Sequence, residues 1–359
     1  MAASYNELFG LGTHSEDASL VRWYPLQDDA ASTVVTDNTG NSNGTLQGGD
    51  NTATISGTGP TTEFPWLSKA LDLDGSADYI TLTSVSLSGA SFSVGFRGYN
   101  DTTSGDRWGY CQAVEGTNQF LGLGLRSSNR LGVSFWANDL AGATTVGGPS
   151  AWRSYAVTYN ATSNARELWL NGSSDGSDTS AADIGSSSTT GHIGRRITST
   201  GYWNGRLCDV FIFSRQLTSA EIADWDAGPE PINTVAPAMT GTETVGQVLT
   251  STSGTWGLDS PFSGGTNGTV TYAYQWTRSN DAGGSGEADI SGATSSTYTL
   301  VSADSGKFVR CRVRATNSGG FDSAADTNSN MSGAISGGAS ALPSPPLVVM
   351  QAVNRASTY

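Results

Sequence analysis

Two histidines, three cysteines and 32 acidic residues are this chain's reactive side chains, and their spacing narrows what they can do. His14 and His192 stand far apart. Neither accompanies a nucleophile elbow, in which a strand, a serine-centred turn and a helix follow one another. No cysteine is placed as a nucleophile, and no Cys-x-x-Cys pair or His/Cys cluster exists to hold zinc. Glycoside hydrolysis needs two carboxylates facing each other across a cleft. Asp72 and Asp74 alternate correctly for one strand face, but no third carboxylate continues the alternation. Glu221, Asp224 and Asp226 have the spacing of a helix's solvent face. Catalysis is not expected.

A cation is better served. Calcium takes six to eight hard oxygens, typically carboxylates with loop carbonyls and amides. The 37–44 loop offers Asp37, Asn38, Asn41 and Asn43, with glycines that let carbonyls turn inward. Asp209 lies on an otherwise apolar strand, where an unpaired carboxylate is costly. Asp37, Asn41, Asn43 and Asp209 are the candidate ligands of a structural Ca2+. The alternative is that Asp37 and the asparagines cap their own turn, and that Asp209 bonds backbone amides.

Sugars are held by aromatic faces with amide and carboxylate hydrogen bonds, and the chain has ten Trp and twelve Tyr. Trp136 shares a strand face with Ser134, opposite Val133 and Phe135; Trp169 is likewise opposite Leu168 and Leu170. Trp108, Tyr110, Tyr202 and Trp203 are loop or strand-edge candidates. Packing against a neighbour is the competing fate of each, since Trp is highly buried on average.

Short strands must position these groups. Forty-six glycines, 14% charged residues and many Ser, Thr and Asn suit strands and tight turns rather than long helices. Asn171-Gly172 is a hairpin signal because both residues tolerate positive φ. Residues 205–222 alternate like a half-buried strand and then start a helix: Thr218 and Glu221 have capping-box spacing, and Leu217 with Ile222 the spacing of a hydrophobic staple.

A strand running into a capped helix resembles the closing segment of laminin-G-like, concanavalin-A-like jelly rolls of the pentraxin type. Trp23-Tyr24-Pro25-Leu26 and the 37–46 loop resemble that family's first strand and loop. Residues 70–80 are similar to its second signature, and 152–159 with 167–172 to its central hairpin. The resemblance implies a binding domain over residues 14–229, with a structural calcium at the 37–44 loop and closing strand. Hydrolases on this fold carry a Glu-x-Asp-x-x-Glu strand, which is missing here.

Gly228-Pro229-Glu230-Pro231 ends the helix and stiffens a linker. Beyond it, short alternating segments argue for a second, smaller β-sandwich over 230–336. It resembles a bacterial or phage immunoglobulin-like module, with Trp276 in place of the buried strand-C tryptophan. No cysteine stands near Val248–Thr250 to pair with Cys311, and a Cys111–Cys208 bridge depends on geometry. The fold class is therefore all-β: a jelly roll and an immunoglobulin-like sandwich, flanked by an arm (1–13) and a tail (337–359).

A net charge of −14 opposes nucleic-acid binding, which needs clustered cations; Arg310, Arg312 and Arg314 alternate on a strand face. No apolar run approaches the ~20 residues of a membrane span. The start lacks a basic segment before an apolar core, so a Sec signal is not expected. Together these features resemble bacteriophage virion surface proteins: head decoration, head fibre or tail-associated adsorption proteins. The resemblance implies assembly in the host cytoplasm, host surface glycans as ligands and a homo-oligomer. Attachment to other virion proteins would run through the tail, with its apolar 347–350 segment, and through the arm, Ser4–Gly12. A secreted or cell-surface bacterial carbohydrate-binding protein is the alternative.

Overall fold

Alternating apolar residues give each strand one face to bury, and two such sheets can share a core. The computed structural model describes residues 8–9, 16–83, 85–112, 116–148, 151–184, 190–257, 269–317 and 326–338. The first sheet runs in the order Ser173–Thr179 (β14), Ala165–Leu170 (β13), Arg153–Asn160 (β12), Phe92–Asn100 (β7), Asn204–Phe213 (β16), Lys69–Asp74 (β5) and Ser56–Thr58 (β4). Leu20–Tyr24 (β1) also pairs with β16. The second runs Asp139–Thr145 (β11), Arg130–Ser134 (β10), Leu121–Leu125 (β9), Arg107–Gln112 (β8), Thr190–Ile193 (β15), Tyr79–Thr83 (β6), Gly44–Gln47 (β3) and Val34–Val35 (β2). One core cluster joins Phe92, Phe96, Tyr155 and Tyr159 of the first sheet to Leu123, Leu125, Leu131 and Val133 of the second. The all-β sandwich expected from the sequence is present.

β16 organises the first sheet. Its first half pairs with β5, Asn204 to Leu207 opposite Asp74 to Leu71. Its second half pairs with β1, Val210 to Phe213 opposite Tyr24 to Leu20. Between the halves its register on β7 shifts, and Asp209 takes φ 51°, a left-handed value that lets the strand bulge and change neighbours. The chain then enters helix α1, Ser219–Ala227. Thr218 Oγ1 accepts the Glu221 amide at 3.3 Å, and Glu221 Oε2 accepts the Thr218 amide at 2.8 Å. Leu217 and Ile222 are both buried. Glu221 is not on a solvent face: it is 5% exposed and paired with Arg215 at 2.8 Å, because the cap turns it inward.

Leu8 and Phe9 of the arm are buried in this same core, Phe9 4.5 Å from the Trp23 ring centroid. Those two side chains serve the jelly roll itself; the rest of the arm to residue 13, and the tail beyond Gly338 including 347–350, lie outside the described residues.

The chain divides into two units, the first Met1–Val235 with Thr255–Tyr272 and Arg314–Asp326, the second Ala236–Gly254, Ala273–Val313 and Thr327–Tyr359. Ile232–Val235 (β17) pairs with Thr255–Gly257 (β20), and both strands fall in the first unit. The remaining strands form two small sheets. One is Met239–Gly241 (β18), Val248–Ser251 (β19) and Thr297–Thr299 (β23); the other is Ala288–Asp289 (β22), Thr271–Ser279 (β21), Phe308–Thr316 (β24) and Thr327–Asn328 (β25). Within the second unit, Trp276 is fully buried beside Tyr298, and its indole donates to the Ser295 carbonyl at 2.8 Å. Arg310, Arg312 and Arg314 each have a carboxylate partner: Glu287, Asp289 and Asp326. All three cysteines are buried, and Cys111 and Cys208 belong to different sheets. Among the described residues no helix is long and apolar enough to cross a membrane.

Candidate functional site

The four candidate calcium ligands do not form a cation cage. Asp37 is 2% exposed, and both its oxygens are taken. Oδ1 accepts the Trp23 amide at 3.0 Å and the Thr39 amide and hydroxyl at 3.0 and 2.8 Å, while Oδ2 accepts the Ser42 amide at 3.0 Å. Asn43 Oδ1 accepts the Asp37 amide, and the Asn41 amide group donates to the Val21 carbonyl. The loop is thus an Asx-capped turn. Asp209 is fully buried and accepts from three side chains: Trp23 Nε1 at 2.8 Å, Trp225 Nε1 at 2.9 Å and Arg97 Nε at 2.9 Å. Arg97 also donates to the Trp225 and Asp226 carbonyls and lies against the Phe64 and Trp225 rings. A guanidinium already neutralises that carboxylate, so calcium does not fit there. Among the described residues no group of three or more His, Cys, Asp or Glu side chains is placed to hold a metal. Asp209 is instead the pin of the first sheet, tying β1, β7, β16 and α1 at the point where β16 changes neighbours.

Three of the six aromatic candidates are core or near-core residues. Tyr110 and Trp203 are fully buried; Tyr110 donates to Gln112 Oε1 at 2.7 Å, and Trp203 packs on Phe96. Trp169 is 6% exposed, with its indole on Thr158 Oγ1. β13 keeps an unbroken register on β12, so Trp169 does lie on the face opposite Leu168 and Leu170; that face is simply covered at this position. The Trp169 edge borders a shallow depression with Glu167, Gln216 and Thr218.

The other three gather on the second sheet. Trp108 and Trp136 line a pocket of about 200 Å³ together with Phe120, Arg126, Ser134, Asp139 and Arg196. Trp108 and Phe120 meet edge to face at 5.8 Å, and Phe120 and Trp136 at 6.0 Å. Arg196 lies over the Trp136 ring at 4.5 Å and Arg126 over Trp108 at 5.2 Å. Arg126 spans two carboxylates, Asp139 at 3.0 Å and Asp106 at 3.5 Å; Asp139 also accepts the Ser134 hydroxyl at 2.7 Å. Trp108 is 2% exposed, yet its Nε1 has no hydrogen-bond partner among the described residues.

Trp136 is not on a strand face. It sits in the two-residue turn between β10 and β11, closed by the Phe135 amide on the Asn138 carbonyl. Trp136 and its successor Ala137 both have φ 57°. Such turns favour Asn-Gly, and a residue with a Cβ in this conformation costs about 1–2 kcal/mol. The arrangement leaves Trp136 half-buried at the pocket rim, where its amide donates to Ser134 Oγ at 3.2 Å. Tyr202 lies nearby on the loop after β15, whose Gly201 carbonyl accepts the Trp108 amide at 3.1 Å. Arg126, Phe120 and Arg196 were not singled out in the sequence; their only signal is that each follows or precedes a strand end on this sheet.

Solved structures with similar folds include domain 4 of AbnA, an extracellular arabinanase of Geobacillus stearothermophilus in complex with arabinotriose. It is 19% identical, with TM-score 0.43, covering 58% of this chain and 98% of that one. The botulinum neurotoxin serotype D/C binding domain is 13% identical, with TM-score 0.43, covering 85% and 73%. A Trypanosoma rangeli sialidase in complex with sialic acid is 13% identical, with TM-score 0.41, covering 60% and 34%. A search of the curated proteins found no match. Residues 74–223 match the Laminin_G_3 family, described as the Concanavalin A-like lectin/glucanases superfamily, and the two-sheet sandwich described above is of that kind.

Proposed function

We propose that this chain is a non-catalytic glycan-binding protein of a bacteriophage virion surface, and that its saccharide site is the Trp108–Phe120–Trp136 pocket. The observation that carries the site is the turn at Trp136-Ala137: two non-glycine residues held at φ 57° where Asn-Gly would be relaxed, presenting one indole to the pocket. Backbone strain kept at one half-buried aromatic on a pocket rim points to a use for that side chain. The accessible part of the Trp136 ring would take the apolar face of a sugar, with Asp139 and Arg126 at the pocket wall for its hydroxyls, while Trp108 and Phe120 form the floor. Asp106 and Asp139 both pair with Arg126 on the same side of the pocket, rather than facing each other across it as a hydrolytic carboxylate pair would.

The virion setting is supported by the tandem of two β units, in the second of which buried Cys311 has no cysteine near Val248–Thr250 to pair with, which suits folding in a reducing compartment. Repeated copies on a particle would raise weak single-site affinity by avidity. Glycan-array binding by the purified chain tests the first part. Trp136→Ala should weaken binding about tenfold or more with an unchanged melting profile, and equal binding by this variant would refute the site. The second part is tested by mass spectrometry of purified particles; its absence there, with recovery from the bacterial surface, would favour a secreted carbohydrate-binding protein.

A further inference from the structure

Arg195, next to the pocket residue Arg196, is 9% exposed and carries a charge that no carboxylate balances among the described residues. Its guanidinium lies 3.5 Å from the Tyr79 ring centroid and 5.5 Å from that of Tyr202. Nη1 donates to the Tyr202 hydroxyl at 3.0 Å and Ser199 Oγ at 3.2 Å, and Nε stands 3.4 Å from His192 Nδ1. Nη2 makes no hydrogen bond and is not sealed from solvent. Buried guanidinium groups are ordinarily paired with carboxylates or phosphates, because an isolated charge loses its hydration without compensation. Here the compensation is a tyrosine face, two hydroxyls and an imidazole. Burial and the Arg195 charge push the His192 pKa down to about 4, so that ring stays neutral near pH 7 and adds no second cation.

We propose that Arg195 is the seat of an oxyanion, the carboxylate of a uronic-acid residue or a sulfate ester, on the glycan that occupies the neighbouring pocket. The assignment of the oxyanion to a glycan rests on the saccharide reading above; the oxyanion seat itself does not. The loop between β15 and β16 joins the two places. It is closed by the Trp203 amide on the Gly194 carbonyl (2.7 Å) and the Arg196 amide on the Thr200 carbonyl (3.1 Å). Arg196 reaches the Trp136 ring from this loop while Arg195 turns to Tyr79 and Tyr202. The two Nη2 hydrogens are the donors left for the anion, because Nη1 already donates to Tyr202 and Ser199 and Nε faces His192. Acidic saccharides should therefore bind better than neutral ones of the same length.

His192 reports occupancy through the second of the two causes that depress it: burial, the larger, stays, while an anion on Arg195 offsets the neighbouring charge. With only two histidines in the chain, both imidazoles can be followed by NMR through a pH titration. Saturating tetragalacturonate or a sulfated tetrasaccharide should raise the His192 pKa by about one unit, and neutral cellotetraose should leave it in place. Comparing the two acidic arms separates carboxylate from sulfate ester. Inorganic sulfate alone should give the same upward shift in wild type and in Trp136→Ala. Arg195→Gln should raise the His192 pKa without ligand and abolish the response, and Arg195→Lys should keep a low pKa with a weaker response. An immobile His192 with every charged probe, in a protein whose fold is unchanged by circular dichroism, would overturn the oxyanion seat while leaving the pocket reading intact. A sulfate response without saccharide binding would do the reverse.

Discussion

Asp209 shows how much of this molecule can hang on one side chain. It is fully buried and bonded to two indoles and a guanidinium that come from β1, α1 and β7. Asp209→Ala would leave Arg97 charged and buried, a loss of about 3–5 kcal/mol. Urea unfolding should show it as a lower midpoint with an unchanged slope; a midpoint within experimental error of wild type would remove the pin assigned here. For the same reason millimolar calcium should leave the melting temperature of the jelly roll where it is, and a rise of several degrees would mean that the Asx-capped loop rearranges around the ion. His192 gives a pH dependence of known sign. Its folded pKa lies below the usual histidine value, so between about 6.5 and about 4 the unfolded chain binds the proton that the folded chain refuses. Its contribution to stability is complete above that window and fades as the pH falls through it. His192→Gln, facing the same Arg195, Tyr79 and cross-strand Cys111, should flatten the melting temperature over this range.

Elements were legible in the sequence where chemistry is local. The Asn171-Gly172 turn has φ 49° and 69° and joins the paired residues Leu170 and Ser173 as a two-residue hairpin loop should. The capping box at Thr218 and Glu221 is equally local, and Thr218→Ala should cost about 1 kcal/mol, read by chemical denaturation. The turn at Trp136-Ala137 was hidden because neither residue signals positive φ; alternation alone ran the strand straight through it. Asp209 was legible as an acid in the wrong place, but its partner Arg97 lies 112 residues away and no spacing rule connects them. The pocket was half visible for the same reason: Trp108 and Trp136 are conspicuous residue types, whereas their convergence with Phe120 and Arg126 is a property of sheet order. Replacing Trp136-Ala137 by Asn-Gly should relax the turn and raise the melting temperature by a few degrees while abolishing saccharide binding. A variant that is no more stable would mean that the turn stores no strain.

At the scale of the whole molecule, scanning calorimetry should resolve two transitions, the larger from the jelly roll with its extended core cluster. One cooperative transition would make the two units a single thermodynamic body. The place of β16 has a further consequence for how the chain is made. A ribosome delivers β1, β5 and β7 long before residues 204–213, yet all three pair with that last strand. Until it emerges, the nascent sheet has its gap in the middle rather than at its rim, with two bare strand edges facing each other across the space β16 will fill. Such edges are templates for pairing with other chains. Synthesis interrupted before Asn204 should therefore give insoluble fragments rather than a smaller folded domain, and the final turn of α1, which carries Trp225 onto Asp209, works as the latch that ends the exposure.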